Sequence, residues 1–194
     1  MLHTEYYKDG TPCVCDEMDR KYHLSGALLR EVPFKNGNEH GITKCYYKSG
    51  AINGEHPYLD GMKHGIEKWF SASGILLQEE IFVYGLSQGI RKEYYESGAL
   101  EWEIPYVNDL IQGTERHYYE SGALWEEVSF VNNKMTGVAR LYYENGILNW
   151  KVSRVNGREN GIHKSFRPSG ELSCETLFFF FQDISAKGPV ENFV

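Results

Sequence analysis

Cysteine is scarce in this chain: Cys13, Cys15, Cys45 and Cys174 are scattered along 194 residues. Cys13 and Cys15 stand too close for an ordinary disulfide, and no second pair follows at zinc-ligand spacing. Neither a disulfide framework nor a metal site is expected, and thiols at rest in a reducing cytoplasm are. Long hydrophobic runs are missing too. The longest, Leu177 to Phe181, is far short of the roughly 20 residues a spanning helix needs. The opening MLHTEYYKDG has neither a basic n-region nor an apolar h-region, so no secretory signal is expected and the cytoplasm is the expected compartment. Positive charge is short: 20 Lys and Arg stand against 27 Asp and Glu, for a net charge of −7. Phosphate binding needs a basic footprint, which disfavours nucleic acid and an anionic membrane surface as partners. An acidic surface speeds encounter with a basic protein, and it also simply keeps a protein in solution. No nucleophile motif, phosphate loop or zinc-protease helix is present, so catalytic residues and cofactors are not expected. His40 and His64 share one loop column and read as polar loop chemistry.

What the chain does have is a period. Gly41, Gly65, Gly89, Gly113, Gly137 and Gly161 recur every 24 residues, and a second glycine follows each by nine: Gly50, Gly74, Gly98, Gly122, Gly146 and Gly170. A further copy reaches back to Gly26, with Glu17 in the leading position. An unbroken period means one structural unit laid down repeatedly. Within residues 89–112 the segment Gly89–Tyr95 is rich in branched and aromatic residues, Glu96-Ser97-Gly98 is a turn signal, and Ala99–Val107 reads as a second strand. Each unit is therefore a β-hairpin, joined to the next through a polar loop of five residues that begins at Asn108. Segments between turns are too short for a helix that stands alone. The expected fold class is all-β: an elongated antiparallel meander of tandem hairpins, with roughly 14 strands at ~4.8 Å spacing giving a body about 65 Å long. Pro33, Pro57 and Pro105 share a column in the second strand. Proline cannot donate to the ladder, so that column is expected at a bulge or a non-bonded position.

Aligning the copies sorts the columns. Apolar ones contain Ile42, Ile66, Ile90 and Val138; Tyr46, Phe70, Tyr94, Tyr118 and Tyr142; Leu76, Leu100, Leu124 and Leu148; and Phe82, Tyr106 and Phe130. Stacked along the array they are expected to form one continuous apolar spine. A basic column (Arg20, Lys44, Lys68, Lys92, Arg116, Arg140, Lys164) accompanies an acidic one (Glu31, Glu55, Glu79, Glu103, Glu127, Glu175). With a two-residue turn Lys92 faces Glu103. With a three-residue turn and a bulge, Tyr94 meets Leu100 instead. The sequence leaves this register open.

The strings YYKSGAI, YYESGAL and YYENGIL, each followed by a column glutamate, resemble the variant MORN repeat. Six or seven copies cover residues 17 to about 178. The resemblance implies an elongated hairpin array, usually bacterial. Relatives include YwqK-type antitoxins and immunity proteins, so it implies a partner-binding role: neutralisation of a cognate protein toxin, such as a basic nuclease- or deaminase-type domain, by steric occlusion. Eukaryotic members act as scaffolds or membrane-surface adaptors, which is the alternative.

The expected organisation is an N-terminal capping half-repeat over residues 1–16, the array over 17–178, and a C-terminal cap or tail over 179–194. The run Phe178 to Phe181 either folds over the last hairpin or offers a sticky edge. Candidate partner-binding residues are those that break their columns. Trp69, Trp102, Trp125 and Trp150 sit in mixed columns and serve either as interface anchors or in local packing. In the copy at residues 137–160, Lys151 replaces the column glutamate and Arg154 the column aromatic, with Arg140 nearby. That gives a basic cluster open to two readings, repeat drift on a solvated face or contact with an acidic feature of a partner.

Overall fold

A computed structural model describes residues 17–155 and 157–178, together with the backbone of a separate two-stranded pair, Glu5–Tyr6 with Pro12–Cys13. The side chains expected to cap the N-terminus, and the expected 179–194 tail with Phe179 to Phe181, lie outside the described residues. The array is one open antiparallel sheet in which each strand pairs with the next. Fourteen strands of six to nine residues are joined by four two-residue strands. The two ends are Glu17–Tyr22 and Leu172–Phe178, exposed along their whole lengths. Among the described residues no ladder joins them.

Two kinds of turn alternate. At the first, Tyr95 N–H donates to Ala99 O at 2.9 Å and Gly98 N–H to Tyr95 O at 2.8 Å. Gly98 holds a φ of +86°, which only a residue without Cβ adopts freely. At the second, the expected five-residue loop is in fact a two-residue turn. Val107 faces Leu110 across Asn108 and Asp109, whose φ values are 50° and 65°. Positive φ at both central residues is the primed turn whose twist suits adjacent strands. From Asp60 onward such turns are tied to the repeat before them: Ser87 N–H donates to Asp109 Oδ1 at 2.6 Å, and Asp109 N–H returns to Ser87 O at 3.2 Å. His40 Nδ1 reaches Asp60 at 3.1 Å in the same manner.

The register resolves in an unexpected way, because the two alternatives coexist. Lys92 faces Glu103 and Tyr94 faces Leu100, since one extra residue, Glu101, bulges between them. Asn53, Leu77, Trp125 and Asn149 occupy the same bulge in other copies. A second irregularity lies opposite the proline column, as expected. Pro57 O accepts from His64 N–H at 3.0 Å, and a Cβ on Gly65 would come within 3.1 Å of Pro57. The same shift recurs opposite Ile81 and Ser129, so it belongs to the repeat and not to proline.

With the register fixed, side-chain alternation separates two faces. One carries Ile90, Lys92, Tyr94, Leu100, Glu103 and Pro105; the other carries Arg91, Glu93, Trp102, Ile104 and Tyr106. The expected single spine is therefore corrected: the isoleucine, tyrosine and leucine columns lie on one face, and the Phe82–Tyr106–Phe130 column on the other. Ile90 and Ile162 remain exposed. The best-buried apolar residues come from elsewhere: Val32 near the N-terminal end, and Val128, Ala139 and Val152 beside Phe130, with Trp150, Met135 and Ile111 packed around them. Toward the N-terminal half the same face is buried but polar, with Thr43, His56, Glu67, Glu80 and Ser87.

Candidate protein-binding face

The face bearing the lysine and glutamate columns is a ladder of alternating charge, and the repeat's paired tyrosines hold it. The first tyrosine donates to the column glutamate of the preceding copy: Tyr46 to Glu31 at 2.8 Å, Tyr94 to Glu79 at 3.0 Å, Tyr118 to Glu103 at 2.8 Å and Tyr142 to Glu127 at 3.1 Å. Burial and the carboxylate it serves push the Tyr94 and Tyr118 phenols up to about 12. The second tyrosine spans forward to a carbonyl of the next copy, as Tyr119 does to Tyr142 O at 2.9 Å. This gives the repeated Y-Y and Glu positions a structural role: each copy is stitched to both neighbours.

The ladder's alternation fails once. Lys151 lies between Arg140 and Lys164 in the pairing register. Arg140 bonds Glu127 at 2.8 Å and Lys164 bonds Glu175 at 3.0 Å, while Lys151 makes no ion pair among the described residues. The three cations line a shallow depression of about 320 Å³ with Val138, Ser153 and Ile162. Arg154, expected in this cluster, is not there. It projects from the opposite face, bonded to Glu159 at 3.3 Å and close to Met135 Sδ. Arg140 and Lys151 are thus brought together, and Lys164 joins them in Arg154's place.

The opposite face gathers all four tryptophans, each half-buried. Trp102 stacks on His117 with ring centroids 3.7 Å apart, and Trp125, set on its bulge, leans on the same imidazole at 4.2 Å. Trp69 meets the His56 ring edge-on at 4.7 Å, and Trp150 meets His163 at 5.9 Å. Local packing and exposure coexist: each indole meets a histidine, Trp150 also packs on the Val128 cluster and Trp125 on Tyr119, and each remains half-exposed. Around Trp102 and Trp125 lie Glu93, Glu101, Glu115 and Glu126, all half-buried. Burial, then the charges of Glu126 and Glu93, raise the Glu115 carboxyl above its ordinary range. Burial likewise raises Glu126, against the pull of Arg154. Burial lowers the His117 imidazole, which is held neutral-leaning between two indoles. This group of carboxylates was not singled out in the sequence: Glu93, Glu115 and Glu126 reach the tryptophan side through the pairing register, and Glu101 through its bulge.

Among the described residues no three His, Cys, Asp or Glu side chains are placed to hold a metal ion. The MORN repeat variant family matches residues 39–60, 63–84, 87–108 and 111–132. These four tandem matches support placing the chain among MORN-repeat proteins. Each matched segment covers one hairpin together with its entry into the primed turn, so the family's unit and the structural unit coincide; three of the four carry the tyrosine pair and 63–84 has Phe70-Ser71 there. No curated protein matches the chain.

Proposed function

We propose that this MORN-repeat chain is a protein-binding module that acts as an antitoxin or immunity protein, covering the working surface of a basic cognate toxin. The carrying observation is the face where Trp102 and Trp125 are set among Glu93, Glu101, Glu115 and Glu126. Half-exposed indoles supply rigid contact area at low entropic cost. The half-buried Glu115 carboxylate, repelled by Glu126 and Glu93, is relieved when a cation settles beside it, so a lysine or arginine of a partner would be drawn to this face. The net charge of −7 steers a basic partner toward it. Neutralisation by occlusion asks for no chemistry from this chain and operates in the cytoplasm beside the toxin. Co-purification with the product of the adjacent gene tests the reading. A complex that weakens with salt, and weakens further in the Glu115→Gln/Glu126→Gln double variant, is the expected result; recovery of no complex overturns it.

A second reading, a scaffold or membrane-surface adaptor, draws on the opposite face, where Arg140, Lys151 and Lys164 stand together. Flotation with anionic vesicles, abolished by Lys151→Glu, would favour it; absence of flotation at low salt removes it.

A further inference from the structure

On the indole-bearing face, three side chains from successive strands line up thiol, imidazole, carboxylate. His56 is 7% exposed and Glu67 4%. His56 Nδ1 meets Glu67 Oε1 at 2.7 Å, and Lys63 Nζ holds the same oxygen at 2.6 Å. The other end of the imidazole is aimed by a vacancy. Where other copies carry Gln78, Trp102, Glu126 or Trp150, this copy has Gly54, the direct cross-strand partner of Cys45. A Cβ at Gly54 would lie 2.7 Å from His56 Nε2. The ring therefore lies over the glycine, which puts Nε2 on the side of the half-exposed Cys45, the cross-strand partner of Gly54. Trp69 covers the ring edge, its Cε3 3.3 Å from the same Cβ position.

We propose that Cys45, His56 and Glu67 form a nucleophilic thiol site that undergoes thiol–disulfide exchange with small disulfides. Cys45 gives its proton to solvent, and its thiolate, facing the His56 imidazolium, attacks one sulfur. The new S–S bond forms as the old one breaks, and the leaving thiolate takes a proton from solvent. One disulfide and one thiol give one mixed disulfide and one thiol, with no further oxidant or reductant. Glu67 is a positioning residue: by accepting from Nδ1–H it holds the ring in its cationic form with Nε2–H presented toward sulfur. Attack on a carbonyl would need donors aimed at a developing oxyanion, whereas exchange at sulfur needs only the thiol, a proton carrier and in-line access. An acidic protein favours a cationic disulfide.

The test uses cystamine on the intact protein at neutral pH, with peptide mass mapping to read Cys45 and the exposed Cys174 in the same sample. The expected result is that Cys45, though less exposed, outruns Cys174 by about tenfold or more. In denaturant the two should react alike. His56→Gln should remove the advantage of Cys45 and leave the Cys174 rate unchanged, and Glu67→Gln should reduce it partly. Equal rates in the native wild type, or a native His56→Gln protein that keeps the Cys45 advantage, overturn the proposal. The native-to-denatured comparison decides the matter even where a variant fails to fold.

Discussion

The Tyr95 hydroxyl donates to the main-chain carbonyl of Tyr118 at 2.8 Å. The bond leaves one repeat and lands in the next, so it adds to the coupling between copies and not to either hairpin alone. Tyr47 and Tyr143 do the same to Phe70 and Phe166. The copy with Ser71 in that position bonds within its own turn instead, to Ser73 at 2.7 Å and to Ile75 N–H at 3.1 Å. Tyr95→Phe should therefore lower stability by about 1 kcal/mol, read as a shift in the urea midpoint. In an array stabilised by neighbour contacts the loss should also broaden the transition, because coupling weakens at one junction. An unchanged midpoint would mean that water replaces the bond without loss.

The period, the hairpins and the turn glycines were legible because backbone demands leave local marks: Gly98 must reach positive φ. The primed turn at Asn108-Asp109 reads in the sequence as a five-residue loop instead, because the two-residue strand Leu110–Ile111 after it is too short to mark itself. Face membership was not legible, because it depends on an extra residue. Leu100 and Glu103 are three apart, so simple alternation puts them on opposite faces. The bulge at Glu101 returns both to one face and sets Glu101 beside His117 and its indoles, where regular alternation already places Glu93, Glu115 and Glu126. Arg154 is different: no bulge separates it from Lys151, so plain alternation over three residues puts it on the opposite face from Arg140 and Lys151. Cys45, His56 and Glu67 did leave a signal, two equal steps of eleven residues. It can be read only once the registers of two successive strand pairs are known.

Lys151 offers a test of the ladder. It sits directly between Arg140 and Lys164, where other copies place a glutamate. Lys151→Glu restores alternation and should stabilise the fold by a few tenths to about 1 kcal/mol. The gain should fade in high salt, since exposed pairs are screened. Thermal melts at low and high ionic strength check both points. A gain that persists in high salt would point to packing and not charge.

The His56–Glu67 pair should give stability a defined pH window. Burial lowers the imidazole, but hydrogen bonds to Cys45 and Glu67 outweigh it and raise His56 from 6.5 to about 9. Its contribution is then complete below pH 6.5 and lost as pH climbs through 9. Burial raises the carboxyl, but His56 and Lys63 outweigh it and lower Glu67 from 4.5 to about 2. That contribution is complete above pH 4.5 and lost as pH falls through 2. Both are present between pH 4.5 and 6.5, where the urea midpoint should be highest. His56→Gln should flatten the alkaline limb. A wild-type midpoint level from pH 6.5 to 9 would count against the pair.

Gly54 separates steric from conformational effects. Elsewhere in a strand, Gly→Ala should stabilise by about 0.4–1 kcal/mol, because alanine restricts the unfolded chain. Here the added Cβ would lie 2.7 Å from His56 Nε2 and 3.3 Å from Trp69 Cε3. The imidazole cannot swing aside cheaply, since Glu67 holds its other nitrogen at 2.7 Å. Overpacking of this kind costs about 1–3 kcal/mol, so Gly54→Ala should be net destabilising. In a His56→Ala background the obstacle is gone, and the same substitution should become neutral or stabilising. Chemical denaturation of the four proteins in this cycle measures the coupling directly. If the two changes prove additive, the imidazole does not lie over residue 54, and the alignment of Cys45, His56 and Glu67 falls with it.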